Sequence, residues 1–145
     1  MTRNDIAIQE FRSGLNCAQS VLSAYSSDLK IDKNLALSIS TGFGSGMGRL
    51  QGTCGAVTGA FMAISVFACK KFEQPDDRKS RSIEMIQAYN EKFLKLHKST
   101  DCKDLLGCNL RTSEGQDYYK ANNLKESVCE KCISNSIEIL EKIMN

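Results

Sequence analysis

Twenty consecutive residues, Leu50 to Cys69, carry no charge, and this stretch constrains the fold more than any other. Read as a helix from Cys54 to Phe72, it is apolar around most of its circumference, so it has no face to turn to water. It must be wrapped by other helices or lie in a bilayer. Gln51, Thr53, Thr58 and Ser65, with Gly52, Gly55 and Gly59, dilute it too much for a membrane span. The expectation is a buried central helix. With 145 residues, the chain is long enough to wrap it within one core.

The flanking sequence supplies the wrapping. Ile6, Ala7 and Phe11 predict a short helix ending at Gly14, Cys17 to Leu29 a second, and Asp32 caps a third with Leu35, Ala36 and Ile39. A glycine-rich loop, Gly42 to Gly48 extended by Gly52, precedes the central helix. Pro75 marks a break. Asp76 to Lys98 predicts a long helix with Ile83, Ile86, Tyr89, Asn90, Phe93, Leu94 and His97 near one face. Cys102 to Leu106 is one turn stopped by Gly107, Thr112 to Ala121 a short helix, and Val128 to Met144 the last. No segment alternates at period two. The expected fold is all-α, residues 1–145 as a single domain of five or six helices.

Four of the seven cysteines fall where helices should begin, each beside a capping residue. Asn16 precedes Cys17, Thr53 precedes Cys54, Asp101 precedes Cys102, and Ser127 with Glu130 makes a Ser-x-x-Glu capping box around Cys129. Free N–H groups and the positive dipole end of a helix favour thiolate over thiol. The thiolate is the nucleophile, the metal ligand and the redox-active form, so this placement points to sulfur chemistry.

Composition excludes several functions. A net charge of +2, with both signs interspersed, gives no field for nucleic acid or a membrane surface. Met1 to Phe11 lacks the apolar core of a secretory signal. A reducing, cytoplasmic location is therefore expected, where cysteines serve redox or metal chemistry more often than structural bridging. Their odd number leaves at least one unpaired in any intramolecular disulfide scheme.

The glycine passage does not read as a nucleotide site. A helical segment rather than a strand precedes it, Lys70 and Lys71 stand where a ribose-binding acid belongs, and Gly-Lys-Ser/Thr is missing. Gly55, Gly59 and Ala63, four apart, let another backbone approach closely, within the domain or across a homo-oligomer interface. His97, the only histidine, reads as a helix-terminal cation or a surface residue, and it makes Cys2His2 zinc impossible. Cys69 reads as a buried, inert thiol and Cys108 as a surface or partner position. Cys129-Glu130-Lys131-Cys132 is a C-x-x-C without the βαβ context of a thioredoxin-like motif.

The chain resembles the C_GCAxxG_C_C family of redox-active proteins. The family's CGAxxG motif reads here as Cys54-Gly55-Ala56-Val57-Thr58-Gly59. Asn16-Cys17-Ala18-Gln19-Ser20-Val21 and the glycine passage are also similar to the family's. Cys102 with Leu105-Leu106-Gly107, then Thr112 and Glu114-Gly115, follows its spacing, and Cys129 looks like its fourth cysteine. The resemblance runs from Cys17 to the C-terminus. It implies that Cys17, Cys54, Cys102 and Cys129 form the working set, with Cys69, Cys108 and Cys132 as additions.

Two chemistries remain open. In one, Cys54 attacks a disulfide or oxidised small-molecule substrate, or a redox partner, and Cys17, Cys102 or Cys129 resolves the mixed disulfide. In the other, the same four thiolates hold an iron–sulfur cluster or zinc, and nothing is catalysed. Their dispersed spacing fits no ferredoxin or zinc-ribbon signature.

Overall fold

The computed structural model describes residues 1–145. It contains α1 (Arg3–Arg12), α2 (Cys17–Ala24), α3 (Lys33–Ser40), α4 (Gly55–Lys71), α5 (Pro75–His97), α6 (Cys102–Leu106), α7 (Ser113–Ala121) and α8 (Lys131–Ile143), with a 3₁₀ turn at Thr41–Phe43 and a π turn at Lys125–Glu130. There are eight α-helices rather than five or six, because the short segments at 102–106 and 113–121 are capped helices in their own right. There is no strand. The one β-type pairing is an isolated antiparallel bridge between Thr53 and Asp101.

α4 is the packing centre, lying against α2, α5 and α8. Its first half is almost wholly buried, from Gly55 to Ala60, with Ala63, Ile64 and Ala68 continuing the inner face. Its far end emerges, and Cys69 is exposed, so the expectation of a buried thiol there is wrong: four residues of drift past Ser65 carry position 69 outside the packed stripe. No helix is long and apolar enough to cross a membrane.

The small residues of α4 explain how closely α2 approaches. A Cβ on Gly59 would lie 2.7 Å from the Ala18 carbonyl oxygen, and one on Gly55 would lie 2.9 Å from Cys17 Cβ. Both glycines are needed for contact inside the molecule. Two side chains then tie α5 and α8 to the backbone of α4 beneath the helix starts. Buried Tyr89 donates to Ser136 Oγ (2.7 Å), and Ser136 donates to the Ala56 carbonyl (2.8 Å).

Several boundaries differ from the sequence reading, each for a local reason. α2 ends at Ala24, not Leu29: Ser20, Ser23 and Ser26 hydroxyls each donate to a carbonyl three or four residues back, a competition that weakens helix continuation. Pro75 opens α5 at its first turn instead of breaking the chain, where its missing N–H costs nothing. Ser127 caps no helix. The last helix is entered through the π turn, and Glu130 accepts two hydrogen bonds from Arg12 (3.0 and 2.8 Å) instead of completing a capping box.

Candidate functional site

The start of α4 is built by the segment before it. Ser45, Gly46, Met47, Gly48 and Arg49 have φ of 52°, 72°, 65°, 63° and 58°. Five successive residues thus turn left-handed, at a cost of roughly 1–2 kcal/mol for each non-glycine. Gly46 permits the turn, since a Cβ there would meet the Gln51 backbone at 2.5 Å. The turn delivers Gln51, buried and also at positive φ (56°). Its side chain donates to the Cys108 carbonyl (2.9 Å) and accepts from the Leu110 N–H (2.8 Å). A short antiparallel clip follows: Cys54 N–H donates to Thr100 O and Cys102 N–H to Gly52 O, both at 2.7 Å. Two cysteines far apart in sequence are thereby placed side by side.

Each cysteine then takes its position from a helix. Cys17 is the first residue of α2, behind a complete Asn16–Gln19 capping box. Cys54 occupies the N-cap position of α4 itself, so Thr53 is not the cap. Cys102 opens α6 behind Asp101, which accepts from Lys103 N–H. Cys129 lies inside the π turn, so no helix start acts on it, contrary to the sequence reading. Cys132 follows one turn later on the same face, fully buried.

Cys17, Cys54, Cys102, Cys129 and Cys132 line one cavity of about 160 Å³. Phe11, Leu106, Leu110 and Tyr119 supply much of its apolar wall, and Arg49 is a cation at its rim. The four expected cysteines are brought together, with Cys132 as a fifth. Cys69 stands apart. Cys108 is half-buried at the loop that Gln51 clamps. Cys54 is only 7 % exposed and is reached through the cavity.

All seven cysteines are free thiols, and inside the cavity they set one another's acidity in two couples, Cys54 with Cys132 and Cys17 with Cys129. Within each pair a second set of donors decides which sulfur loses its proton. The Cys132 thiol donates to Cys54, and the Ala56 and Val57 N–H groups at the head of α4 add to it, holding Cys54 below the ordinary thiol value against the opposing effect of burial. Cys129 is lowered by the Cys17 thiol, by the Tyr119 hydroxyl at 3.5 Å and by the Lys125 charge, again against burial. The donors Cys17 and Cys132 are raised by the same bonds. Burial pushes Cys102 up to about 12. The strongest influence on each member of the C-x-x-C is therefore a cysteine outside it, Cys17 for Cys129 and Cys54 for Cys132.

His97 is not the solvent-facing cap that the sequence suggested. It ends an aromatic row on α5, stacked on Phe93 at 4.5 Å, with Phe93 stacked on buried Tyr89 at 5.9 Å. Its Nε2 lies 2.9 Å from Asn135 Oδ1 and its Nδ1 3.9 Å from Cys132 Sγ. Burial lowers its pKa from the ordinary 6.5. No three Cys, His, Asp or Glu side chains are arranged to hold a metal ion.

Residues 15–143 match the model of a family described as "Putative redox-active protein (C_GCAxxG_C_C)". The chain belongs to the C_GCAxxG_C_C family. No curated protein and no solved structure matches it. Membership of a redox-active family agrees with a cavity walled by sulfur. Sequence reasoning noted Cys132 as half of a C-x-x-C but left it outside the working set, gave His97 no role although it shares a helical face with Tyr89 and Phe93, and had no local pattern from which to find Gln51.

Proposed function

We propose that this family member is a thiol–disulfide exchange protein acting on small disulfides, with Cys54 as the attacking thiolate. The observation that carries this reading is the single cavity that brings Cys54, the N-cap of α4, together with Cys132 and three further thiols, where its neighbours hold Cys54 below the ordinary thiol value. A thiolate stabilised by fixed donors, with a second thiol within bonding reach, is what the two steps of exchange require.

In the first step Cys54 Sγ attacks one sulfur of the substrate. The substrate S–S bond breaks, one thiolate leaves, and Cys54 is held in a mixed disulfide. In the second, Cys132, having lost its proton, attacks Cys54 Sγ and expels the other thiolate. The substrate has gained two electrons and become two thiols; the protein is left with a Cys54–Cys132 disulfide. The Cys17–Cys129 pair, nearer the mouth because both members are half-buried, is suited to reduce that disulfide by the same exchange and to be reduced in turn by an external thiol or dithiol. Cys102 walls the cavity beside Cys54 and stays protonated near neutral pH.

The cavity limits the substrate. At about 160 Å³ it is smaller than the roughly 300–1,000 Å³ of common ligand pockets, which favours low-molecular-weight disulfides over those of folded proteins. The test is single-turnover reduction of an aromatic disulfide by the prereduced protein. Cys54→Ser is expected to abolish the fast phase, while Cys69→Ser leaves it intact. A Cys54→Ser protein with the wild-type fast phase overturns the reading.

A further inference from the structure

Resting on that reading, we propose that His97, held by Asn135, is the base that takes the Cys132 proton and so switches on the resolving step.

Cys132 has a single proton and two acceptors. In the reduced protein the Cys54 sulfur is the better acceptor, because its neighbours hold it towards the thiolate. Once Cys54 is in a mixed disulfide that charge is gone, and the remaining acceptor is His97 Nδ1, 3.9 Å away. The Asn135 carbonyl oxygen accepts from Nε2–H at 2.9 Å, which leaves Nδ1 as the lone-pair nitrogen facing the sulfur. This is the arrangement of an activated nucleophile, with thiol, imidazole and an orienting third group in line. The Phe93 stack and the Tyr89–Ser136 bond fix the ring from behind.

The proton also needs an exit. Cys132 is 1 % exposed, and in the mixed disulfide the substrate occupies the cavity that it lines. His97 lines a second cleft, of about 260 Å³, together with Asp104, Ser127 and Lys131. The imidazole therefore joins the buried thiol to solvent without opening the sulfur cavity. The step balances. Cys132 S–H breaks and its proton goes to Nδ1. The Cys132 Sγ–Cys54 Sγ bond forms, the bond from Cys54 to the substrate sulfur breaks, and the imidazolium gives its proton to water through the cleft. The charged and titratable groups facing His97 are Lys131 on α8, Asp104 on α6 and Cys132 itself. Lys131 opposes the imidazolium and favours its release.

The test follows the two half-reactions separately. Prereduced protein is mixed with dithiodipyridine, quenched with acid at intervals, and mapped by mass spectrometry for the Cys54 mixed disulfide and the Cys54–Cys132 disulfide. For His97→Gln, the mixed disulfide should form at the wild-type rate. Its conversion at neutral pH should slow on the order of 10²-fold, and free imidazole in the buffer should restore much of it. The wild-type conversion rate should fall with decreasing pH through the His97 titration, and this inflection should vanish in His97→Gln. Asn135→Asp, which places a carboxylate on Nε2–H, should raise the inflection pH without touching the first step. Wild-type conversion rates and pH profile in His97→Gln overturn the role of His97 alone. Failure of any Cys54 mixed disulfide to form, in wild type as well, removes the exchange reading and this proposal with it.

Discussion

At the scale of single residues, the acidity of the cavity's thiols is set unevenly by their neighbours. Two cysteines of equal intrinsic acidity share a proton, and whichever receives extra donors becomes the thiolate. For Cys54 these are two amides of α4; for Cys129 they are a tyrosine hydroxyl and a lysine charge. A thiol is alkylated at a rate that rises with pH and levels off above its pKa, so a lowered pKa means a plateau reached at lower pH. Iodoacetamide profiles should therefore show Cys54 and Cys129 levelling off below the ordinary thiol range, whereas Cys102 should keep accelerating towards its value of about 12. Cys54 and Cys102 with identical profiles would contradict this. Tyr119→Phe should shift the Cys129 profile to higher pH and leave Cys54 where it is. The helix-start placement read from sequence held for Cys17, Cys54 and Cys102, but its expected consequence, a favoured thiolate, held only for Cys54: Cys129 and burial raise Cys17, and burial raises Cys102. The placement failed for Cys129, because a π turn looks like any other short run of residues before an apolar helix and its Ser-x-x-Glu pattern coincides with a capping box. What lowers Cys129 comes from Cys17, Tyr119 and Lys125, and contacts with other elements leave no local signature.

At the scale of elements, the sulfurs meet because α2 and α4 touch backbone to backbone. The Gly55–Gly59 spacing was readable as a close approach, and Ala18 and Cys17 are what approaches. Gly59→Ala should cost about 1–3 kcal/mol by overpacking against the Ala18 carbonyl, measured by denaturant unfolding, and a neutral result would mean that α2 is free to move away. Asn16→Ala, which removes the cap of α2, should cost about 0.5–2 kcal/mol and also loosen the loop, since the same side chain donates to the Thr41 carbonyl at 2.9 Å. The left-handed turn from Ser45 to Arg49 was not legible as such. Its glycines advertise freedom, but a serine, a methionine and an arginine adopt the same φ. The turn persists because Gln51 is locked onto the 108–110 loop and because Cys54 and Cys102 share a backbone clip.

At the scale of the whole molecule, the uncharged stretch around α4 made the all-α fold legible, and the other helices follow from their own periodicity. Which sulfur pairs with which was not legible. Seven cysteines allow many pairings, and the one local candidate, Cys129 with Cys132, is not the one the packing of α2, α4 and α8 favours. The account's central claim is that pairing runs across helices. The most direct test is to oxidise the reduced protein with a limiting small disulfide, block the remaining thiols and map the bonds by mass spectrometry. The account predicts Cys54–Cys132 as the first disulfide, with Cys17–Cys129 following as oxidant is increased; a dominant Cys129–Cys132 bond, or a protein that forms no intramolecular disulfide at all, would contradict it.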